Sequence, residues 1–255
     1  MRLADADRGY HDRRDPIVQT PPRSGSDMPN PTPSPGRASW RHAFVGAESR
    51  WPAFVAALVI IVGQARLASS LQLRPTWLLP GLAGLLLLAS VGVYVTPGNP
   101  DRFARVVSVG LAGVLVIANV ASFGLLVRGV FFGSMLSPID LLANGVALWV
   151  VNVLTFAIVY WELDGDGPEA RLQCRREYPD FVFPQQSDQD RLARADWQPS
   201  FGDYLYVSLT AGTAFSPTDT MPYTKRAKLA MGVQSLVSFA IAAVLVARAV
   251  NIARG

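Results

Sequence analysis

Asp203 to Asp219 reads D-Y-L-Y-V-S-L-T-A-G-T-A-F-S-P-T-D, and this stretch decides how the chain is folded. As a helix its apolar part, Tyr204 to Phe215, makes a rod of roughly 18 Å, at about 1.5 Å per residue, against a hydrocarbon core of roughly 30 Å. It is too short to cross a bilayer, yet runs long enough to cross stand on both sides of it. Chain that is neither spanning helix nor closed barrel survives at membrane depth only where protein buries it or a watery cavity meets it. The expected fold is therefore all-α: an integral membrane protein of about five transmembrane helices plus a re-entrant half-helix.

Working outward, four apolar runs precede the segment. The first covers about Trp51 to Leu71, with Pro52 in its first turn, where a missing N–H is harmless, and with Gln64 and Arg66 interrupting it. The second covers about Thr76 to Val95 and stops at the breaker T-P-G-N-P, Thr96 to Pro100. The third covers about Phe103 to Val127 between arginines. The fourth covers about Pro138 to Trp161, with Tyr160 and Trp161 as an interfacial anchor. After the segment a last run covers about Ala227 to Val250, with Thr224 as its expected N-cap. The resulting division is a polar tail (1–45), three N-terminal helices (46–137), and a unit of fourth span, polar loop, half-helix and fifth span (138–255). Within that unit the loop occupies 162–199 and the half-helix 200–219.

The tail is rich in Pro, Arg, Asp and Ser, with too little apolar surface to offset ordering entropy, and is expected to be disordered. Arg13-Arg14 has no apolar run after it, so a cleaved signal is not expected. The polar loop carries Pro168, Pro179, Pro184 and Pro199 as punctuation, with one short helix expected around Glu169 to Glu177. No internal repeat of the kind that builds inverted-repeat transporters is visible.

Composition narrows the chemistry. Of 255 residues half are hydrophobic, which makes the lipid bilayer the main partner. The net charge of +4 is not arranged as a basic stripe with interleaved aromatics, so nucleic acid is not expected. Lysine occurs only at Lys225 and Lys228, and the arginine bias fits a GC-rich bacterial genome, hence a multi-pass protein of the bacterial cytoplasmic (inner) membrane. A single cysteine, Cys174, allows no internal disulfide and no CxxC knuckle. The two histidines, His11 and His42, lie in the tail, so no His-based catalytic or metal site is expected at membrane depth, and no cofactor. No carboxylate pair or nucleophile–base set appears there either, and the chain is not expected to be an enzyme.

The residues around the segment resemble the pore domain of the two-transmembrane potassium-channel family, which reads like D-A-L-Y-F-S-V-V-T-L-T-T-V-G-Y-G-D before an inner helix. Laid on without a gap, Asp203, Tyr206, Ser208, Thr213 and Asp219 meet the family's Asp, Tyr, Ser, first paired Thr and final Asp. The likeness covers about Val150 to Val250. It departs where selectivity is decided: Ser216, Pro217 and Thr218 stand at the G-Y-G positions. Glycine there lets the backbone align carbonyl oxygens, whereas Cβ atoms and the fixed φ of Pro217 oppose it. Chain from roughly Trp51 onward also looks similar to a group of uncharacterised bacterial membrane proteins, in W-x-P-x-F (Trp197 to Phe201), D-Y-L-Y, Ala214 to Pro222 and Ala247 to Ile252. That group supplies no activity.

The channel resemblance implies a homo-oligomer, a tetramer by analogy, with weakly selective passage of monovalent cations. Its filter-like residues are Thr210, Thr213, Ala214, Phe215, Ser216, Pro217, Thr218 and Asp219, a hydroxyl-lined constriction with a carboxylate at its mouth. Ser216 to Asp219 equally has the chemistry of a type I turn with Pro at its second position. Gln234, Ser235 and Ser238 would face the pore if the last helix lines one. The alternative is a non-conducting scaffold or sensor with a degenerate pore module. Asn119, Asn144 and Asn152 are expected to join helices by hydrogen bonds. Asp164-Gly165-Asp166-Gly167 lacks the following ligands of a calcium loop. Arg171, Arg175 and Arg176 are expected on a solvated surface, neutralised by Glu169, Glu177 and Asp180. Arginines near helix ends favour a cytoplasmic N-terminus. The half-helix then enters from the cytoplasm, opposite to potassium channels, unless Trp51 to Leu71 falls short of spanning.

Overall fold

A computed structural model describes residues 49–67, 71–96, 101–132, 137–173, 175–186, 197–213 and 219–254. The polar tail expected at 1–45 lies outside the described residues, as do Ala214, Phe215, Ser216, Pro217 and Thr218. Helices α1 (Trp51–Arg66), α2 (Leu78–Val95), α3 (Asp101–Phe132) and α4 (Pro138–Leu163) come first. A 3-10 turn (Asp164–Asp166), α5 (Pro168–Leu172), β1 (Phe181–Val182), α6 (Phe201–Thr213), β2 (Met221–Pro222) and α7 (Lys225–Arg254) follow. Helices α2, α3, α4 and α7 are long and apolar enough to cross a membrane.

Helix α1 is the exception among the anticipated spans. It has 16 residues and stops at Arg66, short of Leu71, because Leu67 turns to extended backbone (ψ 147°). The Gln72 amide then donates to the freed carbonyls of Gln64 at 3.0 Å and Leu67 at 2.6 Å, a side chain doing what the next helical turn would have done. Helix α4 starts at Pro138, where its apolar run was expected to begin. Ser137 is the N-cap, accepting from the Asp140 N–H at 3.1 Å, with Pro138 and Asp140 in the first turn. Helix α7 begins with Thr224 Oγ1 accepting from the Ala227 N–H at 3.3 Å, the cap expected of it.

Helix α4 is the centre of the bundle, touching α1, α3, α6 and α7. Its core contacts come from Val151, Phe156, Ala157 and Tyr160, packed with Ala57 and Ile60 of α1 and Leu115 of α3. Neighbouring helices alternate in direction. The start of α1 meets the start of α3, Arg50 Nη1 donating to Ser108 Oγ at 3.0 Å. The end of α2 returns to that same level, where Tyr94 packs edge-on against Phe54 and Trp51 at centroid separations of 5.7 and 6.3 Å. The end of α4 arrives there as well, bringing Glu162 to Arg50 and Arg105.

The described residues of the loop after α4 carry several short elements. The α-helix there is Pro168–Leu172 rather than Glu169 to Glu177, and a 3-10 turn follows at Pro184–Gln186. The two-residue strand β1 pairs antiparallel with β2, Phe181 opposite Pro222 and Val182 opposite Met221. This short ladder, which no alternation in the sequence announces, ties the loop to the residues just before α7.

Candidate functional site

Helix α6 starts with Asp203 reaching back to Ser200: the Ser200 N–H donates to Asp203 Oδ2 at 2.7 Å, and Ser200 Oγ donates to the same oxygen at 2.8 Å. One turn on, Tyr204 is fully buried and its hydroxyl donates to Asp164 Oδ2 at 2.6 Å, fixing the beginning of α6 beside the end of α4. The far end of α6 lies against the middle of α4, where Trp149 Nε1 donates to the Gly212 carbonyl at 3.3 Å. A Cβ at Gly212 would stand 3.1 Å from Val153 Cγ2, so glycine is what lets the two helices come this close.

A helix end leaves its last carbonyls without partners inside the helix. In α6 side chains take three of them. Thr213 Oγ1 donates to the Thr210 carbonyl at 2.8 Å, Ser235 Oγ to Ala211 at 3.1 Å, and Trp149 to Gly212. Half a turn earlier, Gln234 Nε2 donates to both the carbonyl and the hydroxyl oxygen of Ser208 at 2.8 Å, while Ser208 Oγ donates to the Val153 carbonyl at 2.6 Å. The negative end of the helix dipole is therefore met by protein donors from α4 and α7.

This places the residues that the sequence singled out. Thr213 and Asp219 are exposed, and Thr210 bonds back to the Tyr206 and Val207 carbonyls of its own helix. Asp219 stands two residues before β2, hence with the loop pairing and away from Thr213 at the far end of α6. Gln234 and Ser238 are fully buried within the protomer. Gln234 Oε1 accepts from the Tyr160 hydroxyl, and Ser238 Oγ accepts from Asn152 Nδ2 at 2.8 Å. Asn152 Oδ1 in turn accepts from Asn119 Nδ2 at 2.6 Å, so Asn119 and Asn152 join α3, α4 and α7. Asn144 donates to the Asp140 carbonyl one turn back in its own helix. The outward face of α7 is apolar, with Leu229, Leu236, Phe239 and Val246 exposed.

The second part of the site lies at the C-terminus of α4, and the sequence did not point to it. Three arginines from three elements cap its last carbonyls: Arg171 Nη1 on Trp161 at 2.6 Å, Arg105 Nη1 on Glu162 at 2.7 Å, and Arg226 Nη2 on Leu163 at 2.9 Å. Cations at a helix C-terminus are favoured by the dipole, and guanidinium forks suit the diverging lone pairs. Arg171 is 4 % exposed and also donates to the Asp164 carbonyl at 2.8 Å, so it is a buried cap and not a surface charge. Its neighbour Arg176 does stand at the surface, paired with Asp166.

Carboxylates complete the junction. Asp164 is fully buried; Oδ1 accepts from the Asp180 and Phe181 N–H groups at 2.7 and 3.2 Å. Asp180, also fully buried, accepts from Thr224 Oγ1 at 2.5 Å, from Arg226 Nε at 2.6 Å and from the Gly165 N–H at 3.0 Å. Burial pushes the Asp180 carboxyl up, but the bonds from Arg226 and Thr224 and the Arg226 charge outweigh it and hold the group below the usual aspartate range. The D-G-D-G run is explained here. Gly165 (φ +57°) and Gly167 (φ +94°) are left-handed, and a Cβ on Gly167 would stand 2.4 Å from Arg105 Nη1. Paired glycines directly after an apolar helix were the signal in the sequence for so tight a turn.

Among the described residues no group of three or more His, Cys, Asp or Glu side chains is placed to hold a metal ion. The chain matches no protein-family model, no curated protein and no solved structure. Its function rests on its own geometry.

Proposed function

We propose that this is a membrane protein of five crossings whose C-terminal unit, 138–254, is a diverged pore-like module built around a re-entrant α6. Support for the fifth crossing comes from α2. It ends beside the start of α1, so the chain has to traverse the bundle between Arg50 and Leu78, and α1 is the element that does so. Re-entry is supported by the two ends of the α6 segment. Tyr204 is bound to Asp164 and Thr224 to Asp180, so the chain enters and leaves at the same end of α4, while Gly212 reaches that helix's middle.

The observation that carries the pore-like interpretation is this half-length helix clasped between α4 and α7, its carbonyl end turned inward. In a homo-oligomer, a tetramer by analogy with the two-transmembrane potassium channels, such segments converge around one axis. The function supported best is weakly selective passage of monovalent cations. Basic residues concentrate at the end of the bundle where α6 enters, which favours a cytoplasmic location for that end and a bacterial cytoplasmic membrane for the whole. Purified protein reconstituted in vesicles and assayed for potassium and sodium flux under an imposed voltage, in both orientations, tests conduction. Absence of flux from a reconstituted oligomer refutes it.

One observation favours a second function, a non-conducting scaffold or sensor. Gln234 and Ser238 spend their hydrogen bonds inside the protomer, and the face that α7 turns outward is apolar. A stable monomer in mild detergent decides for the scaffold, because one such unit encloses no pathway.

A further inference from the structure

The charged groups at the end of α4 are not separate pairs. Arg50, at the start of α1, bonds Glu169 and stands 3.9 Å from Glu162. Glu162 Oε2 accepts from Arg105 of α3 at 2.9 Å, and Arg105 Nη2 lies 4.0 Å from Asp166. Asp166 Oδ1 accepts from Arg226 Nη1 at 2.8 Å, and Arg226 closes on Asp180. Charge alternates at every step from Arg50 to Asp180, and the line runs from the N-terminal helices to the first turn of α7. Its two halves differ. The Arg50 and Glu162 side chains are 5 % and 7 % exposed, whereas Arg105, Asp166 and Arg226 are about a third exposed. A buried pair that loses one member leaves the other charge uncompensated, so the remaining guanidinium or carboxylate has to find a new partner along the line.

We propose that this arginine–carboxylate line is a coupling device, through which a rearrangement of α1 or α3 changes the grip of Asp166 and Asp180 on Arg226 and thereby loosens or tightens the α6–α7 unit. The geometry favours transmission because each inner member is shared: Glu162 serves Arg50 and Arg105, Asp166 serves Arg105, Arg176 and Arg226. Removing Arg50 frees Glu162 to draw Arg105 fully onto itself, which takes that guanidinium away from Asp166. Coupling of this kind is established by non-additivity, and spatial continuity alone does not suffice.

Amide hydrogen exchange on the full-length protein in lipid nanodiscs supplies the test, and its readout does not depend on whether the protein conducts. Arg50 touches neither α6 nor α7 in its bonds to Ser108, Glu162 and Glu169. Arg50→Gln is expected to speed exchange across 204–208 and 226–230 by about fivefold or more. In an Arg226→Gln background, where the line is already cut, the same change is expected to have little further effect on those amides. Should Arg50→Gln fail to fold, Arg105→Lys serves, since one ammonium cannot reproduce the fork that meets Glu162 and reaches toward Asp166. Exchange changes confined to α1, α3 and the end of α4, or the same factor in both backgrounds, overturn the proposal.

Discussion

Replacing Gln234 by leucine separates a structural interior from a conducting one. The glutamine is fully buried, donates twice to Ser208 and accepts from the Tyr160 hydroxyl. Ser208 keeps its bond to the Val153 carbonyl, so the group left without a partner in Gln234→Leu is the buried Tyr160 hydroxyl. An orphaned buried donor costs about 1–3 kcal/mol, and interhelical bonds in membranes are worth roughly 0.6–2 kcal/mol. A loss of about 2 kcal/mol follows, roughly thirtyfold in the unfolding equilibrium. Adding Tyr160→Phe removes the orphan, and the double variant should recover about half of that loss, because deleting both partners is far cheaper than deleting one. Equilibrium unfolding of the three variants in mixed micelles gives the comparison. If Gln234→Leu unfolds like the parent chain while cation flux changes, the side chain faces a lumen and the packing described above is wrong.

Three further outcomes are expected. Gly167→Ala meets both a φ of +94° and the Arg105 guanidinium, and should cost about 1–3 kcal/mol; Gly113→Ala in α3, where a Cβ meets nothing within 4 Å, is the control for thermal unfolding. Trp149→Phe removes the donor on Gly212 and should raise amide exchange over 210–213 by roughly two- to tenfold, from a bond worth about 0.5–1.5 kcal/mol; unchanged protection there would show that the bond does not hold the helix end. Asp180 is held below the ordinary aspartate value, so its stabilisation is fully present above about pH 4, where the unfolded carboxyl is ionised, and is lost as pH falls through the lower folded value. Asp180→Asn should therefore lower the unfolding midpoint at neutral pH and flatten its decline in acid; a variant with the parental acid limb would contradict this.

Much of the fold was legible because the bilayer simplifies the code. Apolar length alone found α2, α3, α4 and α7, and Pro52 and Thr224 marked helix starts by local chemistry. The end of α1 was missed, because the donor that replaces its next turn, Gln72, acts from beyond the break. At the junction, Arg171 was expected on a solvated surface among acids close in sequence. Its partners are instead the carbonyls of Trp161 and Asp164, which only tertiary contact brings beneath it. Arg226 and Asp180 are 46 residues apart, and nothing local in either segment names the other. Of the candidate site, Gln234, Ser235 and Ser238 were read as facing a pore if the last helix lines one; their bonds run to α6 and α4, a direction that no local pattern carries.

Arg50 has a consequence for how the chain is made. Its partners Ser108 and Glu169 lie 58 and 119 residues downstream. At ribosomal rates of roughly 5–20 residues per second, Glu169 emerges about 6–24 s after Arg50. Until then the ion pair between Arg50 and Glu169 cannot form, whatever Ser108 has already supplied. The burial of this side chain in the finished bundle thus waits on the arrival of the fourth helix and the turn behind it.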